Sequence, residues 1–274
     1  MTNMQNVAEI ADYIATKYPI QGKMKLIAEA ASNAKTAKNS DEFISGIMNL
    51  APSRLSGYNM CPMATEGCIK ACLATAGRNS MGLDEYDINR NRAAQIRKTH
   101  YFMQNRDNFM NQLYNEINNM VKRGIKLNKK VAVRLNGTSD IRWELIPVQG
   151  FNNLMEAFPT VQFYDYTKLH NRRNIPANYY LIFSLSESNV DQAINALNNA
   201  MNVAAVFNAK PKGYNRYSKI FTKESEPLPE TYLGFPVVDG DKTDLRFTDN
   251  TGVIVGLRVK GRAALDKTGF VQNV

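Results

Sequence analysis

Val7, Ile10, Ala11 and Ile14 share one face of a helical period, and Leu26, Ile27 and Ala30 repeat that spacing in the next segment. The first 50 residues therefore read as helices. Ser40 and Asp41 would cap a third element with Phe43, Ile44, Ile47 and Met48 on one side. Its end, residues 46–50, fits a short strand broken by Pro52 equally well. Residues 51–83 have little periodicity and several glycines, which marks a long loop of the kind that carries function. Asp107 caps a further helix whose stripe of Phe109, Leu113, Ile117 and Met120 reads as core, with Gly124 ending it.

Past residue 130 the texture changes to short β-rich runs, at 131–135, 161–164, 179–183, 203–207, 235–238 and 253–257. Helical or loop segments separate them, the clearest being a helix capped by Asn189 with Val190, Ala193, Ile194 and Leu197. Strands alternating with helices predict an α/β fold with a parallel sheet, open or closed into a barrel. No fixed-period repeat and no low-complexity linker divides the chain, so a single domain is expected. Within it, residues 1–45 read as a helical N-terminal extension and 46–274 as the barrel-like domain that carries the cysteine loop.

In parallel α/β folds, function gathers at the carboxyl ends of the strands. Those ends are polar here: Asn136-Gly137-Thr138-Ser139-Asp140, Asp165-Tyr166-Thr167-Lys168, Ser184-Leu185-Ser186-Glu187, Asn208-Ala209-Lys210 and Asp239-Gly240-Asp241. Any one of them could be an ordinary solvated turn. Five together predict a shared rim, with Asp165, Lys168 and Asp241 as groups able to move protons.

All the cysteine of the chain lies within twelve residues, as Cys61, Cys68 and Cys72 in a Cys-x6-Cys-x3-Cys spacing. Clustered thiolates suit soft metals and iron–sulfur centres. Three ligands leave one position open, whereas structural zinc usually closes with a fourth protein ligand. A three-thiolate iron–sulfur cluster with an open iron is the favoured expectation, zinc the second, and inert thiols the bland alternative. His100 lies in a helical run and reads as structural; His170 follows the polar end of its strand and is the better functional candidate of the two.

Composition narrows the setting. Hydrophobic residues at 44% and charged residues at 22% exclude wholesale disorder. No apolar run approaches the roughly 20 residues of a membrane span, and residues 1–6 lack the basic and apolar regions of a secretory signal. The expected location is the cytoplasm, where thiols stay reduced. A net charge of +9 points to an anionic small molecule or nucleic acid as partner.

Several of these stretches carry a resemblance. Asn49-Leu50-Ala51-Pro52, Cys61-Pro62-Met63-Ala64, Gly67-Cys68, Cys72-Leu73 and Ala76-Gly77-Arg78 resemble a family of phage proteins of uncharacterised function, the gene product 88 family. So do residues 133–140, 164–168, 183–187, 239–246 and 256–261. That resemblance covers residues 47 to 262 and implies a host-cytoplasmic phage protein. The order of features is similar, more distantly, to the radical S-adenosylmethionine proteins. This second resemblance implies a partial or complete (β/α) barrel and a [4Fe–4S] cluster on the three cysteines. Its open iron would bind the amino acid part of S-adenosylmethionine. It would put Asn136, Gly137 and Asp140 near the cofactor's amino group, with Thr167, Lys168, Ser184 and Ser186 deeper in the pocket. The usual motif of those proteins is Cys-x3-Cys-x2-Cys, from which the present spacing departs.

Three functions are then open: an iron–sulfur enzyme acting on a nucleotide, nucleic acid or host protein; a non-catalytic zinc- or cluster-stapled protein binding nucleic acid or a host factor; and a metal-dependent nuclease. The nuclease would use Asp140, Asp165, Asp239 and Asp241 for a hard cation.

Overall fold

The computed structural model describes residues 6–20, 22–29 and 42–273. The expected positions of Ala30 and of the Ser40–Asp41 cap lie outside the described residues. The chain forms two compact units. The first contains residues 1–62, 78–163 and 175–179, and the second 63–77, 164–174 and 180–274.

In the first unit, α1 (Val7–Lys17) starts where the Asn6 side chain accepts the Ala8 amide at 2.9 Å. Ile10 and Ile14, on the face the periodicity marks, pack with Ala51, Ile88, Ala93 and Ile96. Arg97 donates to the Ile14 and Tyr18 carbonyls at the helix end. The next two elements are strands, the first in place of an expected helix and the second taking the strand alternative. β1 (Ile27–Glu29) pairs antiparallel with β2 (Phe43–Met48), Ile27 opposite Met48. The Glu116 carboxylate accepts the Leu26 and Ile27 amides and fixes the extended backbone. All six residues of β2 are buried, so the run has no period to read. β2 runs parallel to β3 (Lys130–Arg134), and β3 to the start of β4 (Val161–Thr167).

The cysteine loop includes the short helix α2 (Glu66–Lys70), which belongs to the second unit. Back in the first unit, α3 (Arg90–Gln104) is followed by α4 (Arg106–Leu127), whose cap is Asn105 and not Asp107. Phe109, Leu113, Ile117 and Met120 are buried as expected. α4 runs through Gly124 to Leu127 and stops at Asn128, which takes the left-handed conformation. A single turn, α5 (Leu154–Ala157), precedes β4.

In the second unit, β5 (Tyr179–Ser184, from its second residue), β6 (Val203–Phe207), β10 (Phe235–Asp239) and β11 (Ile254–Arg258) are the strands the β-rich runs predict. The order is β5-β6-β11-β10-β9, where β9 is Thr231–Tyr232, and the short β12 (Val271–Gln272) also pairs with β6. All these pairs are parallel except β9 with β10. One face packs Phe183, Leu185, Val203, Ala205, Phe207 and Ile254 against α6 (Val190–Asn198). The other carries Ile182, Ala204 and Val255 with Tyr166, Tyr180, Val238 and Leu257. Asn189 precedes α6, but its side chain accepts the Ser186 amide at 2.7 Å rather than capping the helix. A separate hairpin, β7 (Gly213–Asn215) and β8 (Ile220–Thr222), follows β6.

The protein is thus a mixed α/β fold with a mostly parallel sheet. No closed barrel forms among the described residues, and both β1 and β9 are edges. β2 starts at Phe43 and pairs with β3 inside the first unit. No helix among the described residues is long and apolar enough to cross a membrane.

Candidate functional site

Polar strand ends occur in both units, and the cysteines divide between them: Cys61 belongs to the first, Cys68 and Cys72 to the second. In the first unit, the chain turns sharply after β3 around Asn136. Its Oδ1 accepts the Ser139 hydroxyl at 2.8 Å, the Ile141 amide at 3.0 Å and the Trp143 indole N–H at 3.0 Å. Its Nδ2 donates to the Ile141 carbonyl at 2.9 Å. Asn136 is therefore a brace of the turn, with its side-chain groups committed to the protein. Gly137 touches the end of β2: a Cβ there would lie 2.2 Å from Asn49 Oδ1 and 2.7 Å from the Met48 carbonyl oxygen. The backbone N–H of Gly137 donates to that carbonyl, and that of Asp140 donates to the Met60 carbonyl, each at 2.9 Å. Cys61 sits in the same cluster. Its sulfur accepts the Ser53 amide at 3.4 Å and its thiol donates to the Thr138 carbonyl at 3.6 Å.

In the second unit, the loop that carries Cys68 and Cys72 is clamped to the end of β5. Thr65 caps α2 by accepting the Cys68 amide at 3.2 Å. The Glu187 carboxylate accepts the Thr65 hydroxyl and the Gly67 amide, each at 2.8 Å. It acts as an anionic cap. Only glycine fits at position 67, where a Cβ would lie 2.3 Å from Thr268 Oγ1 and 2.7 Å from Phe270 Cβ. Cys68 packs against Ala71, Val259, Ala263, Phe270 and Val271, and the Cys72 carbonyl accepts the Thr75 amide and hydroxyl. All three cysteines are half-buried.

Beside that loop, Lys168 and the β5 end meet. Lys168 Nζ donates to Ser184 Oγ at 3.0 Å and to the Ser184 and Leu185 carbonyls at 3.3 and 3.4 Å, and lies 5.2 Å from the centre of the Phe270 ring. Thr167 accepts the Leu169 amide through its hydroxyl. Asp165 is fully enclosed on β4. The Ser186 hydroxyl is buried and has no hydrogen-bond partner among the described residues. Leaving such a group unpaired is costly.

Asp241 stands elsewhere in the second unit. Arg258 holds both oxygens of Asp239, at 2.9 and 3.0 Å, and lies 3.4 Å from Asp241, whose other oxygen takes Lys260 at 2.5 Å. Three strand spacings, roughly 14 Å, separate β10 from β5 in the strand order. Asp241 thus serves an ion-pair knot, apart from the Lys168 cluster.

Residues that the sequence pattern does not reveal lie behind it. Arg246 is fully buried; it donates to the Thr243 carbonyl at 2.6 Å and its Nη1 is 3.3 Å from Asp249. Its Nε and Nη1 make no hydrogen bond among the described residues, so the Asp249 contact is a charge pairing without hydrogen-bond alignment. Burial pushes the Asp249 carboxyl up, and Arg246 pulls it part of the way back. Burial, followed by the Asp249 charge, raises the Tyr180 phenol. The only signal in the sequence was an arginine just after the Asp239–Asp241 turn.

His100 is structural, as expected: its Nε2 lies 2.8 Å from the Ser56 carbonyl, and burial lowers its pKa. Among the described residues, no three His, Cys, Asp or Glu side chains gather into a group that could hold a metal ion. The cluster and zinc assignments therefore rest on the cysteine spacing.

No curated protein and no solved structure matches this chain, and the likeness to radical S-adenosylmethionine proteins gains no support from these comparisons. One family model does match, that of gene product 88, and it takes in residues 22–274 with both strand-end clusters and all three cysteines. The chain belongs to the gene product 88 family.

Proposed function

We propose, on the cysteine spacing, that the protein is a cysteine-ligated metalloprotein in which Cys61, Cys68 and Cys72 hold an iron–sulfur cluster, and that the Lys168–Ser184–Ser186 group binds a polar small molecule carrying an anionic group such as a carboxylate. S-adenosylmethionine is the candidate that the distant resemblance suggests. The observation that carries the reading is the Ser186–Glu187 turn. Glu187 clamps the helix that bears Cys68, while the adjacent Ser186 keeps a buried hydroxyl without a partner among the described residues. A ligand that hydrogen-bonds Ser186 would recover about 1–3 kcal/mol of desolvation cost, and Lys168 would supply the charge for an anionic group. A bound cluster would contribute one-electron chemistry. Lys168 and Asp165 are the groups on or beside β4 able to hold or move a proton.

The nuclease reading is weaker on a specific ground. A hard cation at Asp239 and Asp241 would have to displace Arg258 and Lys260. A zinc staple is the other outcome of the same experiment.

The test is purification without oxygen, followed by absorbance and assays of iron, sulfide and zinc. About four irons per chain support the proposal; stoichiometric zinc without iron replaces the cluster with a staple. Folded protein that binds neither defeats the metal reading. Cys68→Ala should lose the metal while keeping its circular dichroism. Lys168→Met should weaken S-adenosylmethionine binding in calorimetry at unchanged metal content.

A further inference from the structure

The β7–β8 hairpin has no part in the strand-end clusters, and its surface is unusual. The fourteen residues 210–223 contain five Lys or Arg and no Asp or Glu, so the segment is a concentrated positive patch. Lys210 is engaged by Glu226 at 3.1 Å; Lys212, Arg216, Lys219 and Lys223 are exposed. At the centre of the hairpin, Tyr214 and Phe221 are direct cross-strand partners. They are 64% and 66% exposed, although paired aromatic rings on a hairpin ordinarily find cover. Lys212 and Arg216 flank Tyr214 two residues to either side, and Lys219 and Lys223 flank Phe221 in the same way. Two bare rings thus sit among four cations.

The hairpin turn is held by side-chain contacts. Asn215 Oδ1 accepts the Tyr217 and Ser218 amides at 3.0 and 3.3 Å, which shapes the turn. The Arg216 and Arg262 guanidinium groups lie 5.5 and 5.4 Å from the centre of the Tyr217 ring. Asn215 Nδ2 donates to the Gly261 carbonyl at 3.1 Å, and the next residue, Arg262, donates its amide to Thr75 at 3.0 Å. The hairpin is therefore tied to the segment that continues from Cys72.

We infer that the β7–β8 hairpin is a binding platform for single-stranded nucleic acid. Bases stack on Tyr214 and Phe221, and Lys212, Arg216, Lys219 and Lys223 contact phosphates. Stacking suits any base, because each has a π-face, and a cationic frame tracks the backbone. Exposed bases are available in a single strand and hidden in a duplex, so single-stranded DNA or RNA is the occupant that two bare rings require. The inference stands on the hairpin alone and is independent of what the cysteines bind.

The experiment is fluorescence anisotropy of the full chain with labelled mixed-sequence 12-nucleotide DNA and RNA, repeated with a duplex and across a salt series. The wild type should prefer single strands. Four phosphate contacts predict a slope of log K against log salt of roughly −3. Tyr214→Ala/Phe221→Ala should lose at least about tenfold in affinity, while Tyr214→Phe/Phe221→Tyr should retain it. Lys219→Gln should reduce the salt slope by roughly 0.7. These side chains are exposed, so circular dichroism and metal content should match the wild type. Equal affinity of the double alanine variant and the wild type would overturn the inference. Binding to phosphatidylserine vesicles with none to oligonucleotides, or self-association through the rings detected by light scattering, would overturn it too.

Discussion

After β3, the side chain of Asn136 satisfies three donors and one acceptor of its own turn, and the Trp143 indole is enclosed around it. After β5, Asn189 closes the turn of similar composition by accepting the Ser186 amide, Glu187 reaches out of it to the Gly67 amide, and the Ser186 hydroxyl is buried without a partner among the described residues. Both are polar turns at the carboxyl ends of parallel strands. The first has the economy of a structural brace. The second keeps an unmet hydrogen bond beside a lysine, which marks the place where a ligand has something to add. A polar strand end is therefore a poor guide to function until its hydrogen bonds are accounted for.

Substitutions can break this contrast. Asn136→Ala should lower the unfolding free energy in urea by about 4 kcal/mol, because it strands several buried groups at once; a loss below about 1 kcal/mol would mean the turn is not a brace. A control on the first unit comes from Lys98, whose ammonium donates to the Leu26 carbonyl at 2.7 Å. Burial pushes its pKa down to about 8, and Glu116 opposes this. Since the folded value is lower than the unfolded one, the unfolded chain binds more protons between about pH 8 and 10.4. Stability should therefore rise with pH across that window, by on the order of 3 kcal/mol at full effect. Lys98→Met should flatten the rise in Tm, and a wild-type Tm independent of pH would contradict the assignment.

Smaller effects sharpen the contrast from the other side. Glu187→Ala should cost about 2 kcal/mol through the Gly67 amide and Thr65 hydroxyl, and loosen the Cys68 loop, read as faster amide exchange at residues 65–70. Ser186→Ala should change stability by less than about 0.5 kcal/mol, or raise it, since its hydroxyl has nothing to lose. A loss as large as that of Asn136→Ala would show that the two turns are alike.

Much of the fold is legible in the chain. β3, β4, β5, β6, β10 and β11 follow from apolar runs bounded by polar turns, and the α4 stripe follows from its period. β2 stays open between helix and strand in the sequence, because all six residues of Phe43–Met48 are buried and no alternation separates the two readings. β1 escapes because its extended backbone is held by Glu116, about ninety residues away. The hairpin is short and exposed, so it has no buried alternation to betray it.

The candidate site divides along the same line. The sequence by itself determined which polar residues stand at strand ends and that the cysteines lie close along the chain, because turns and periods are written by near neighbours. Only the tertiary structure decided that Asp241 is absorbed by an ion-pair knot and that Glu187 clamps the loop of Cys68. Those outcomes depend on partners distant in sequence: Glu187 reaches Gly67 across 120 residues, and Asp241 meets Arg258 and Lys260 across 17 and 19. A hydrogen bond is met or missed only once the whole chain has closed around it.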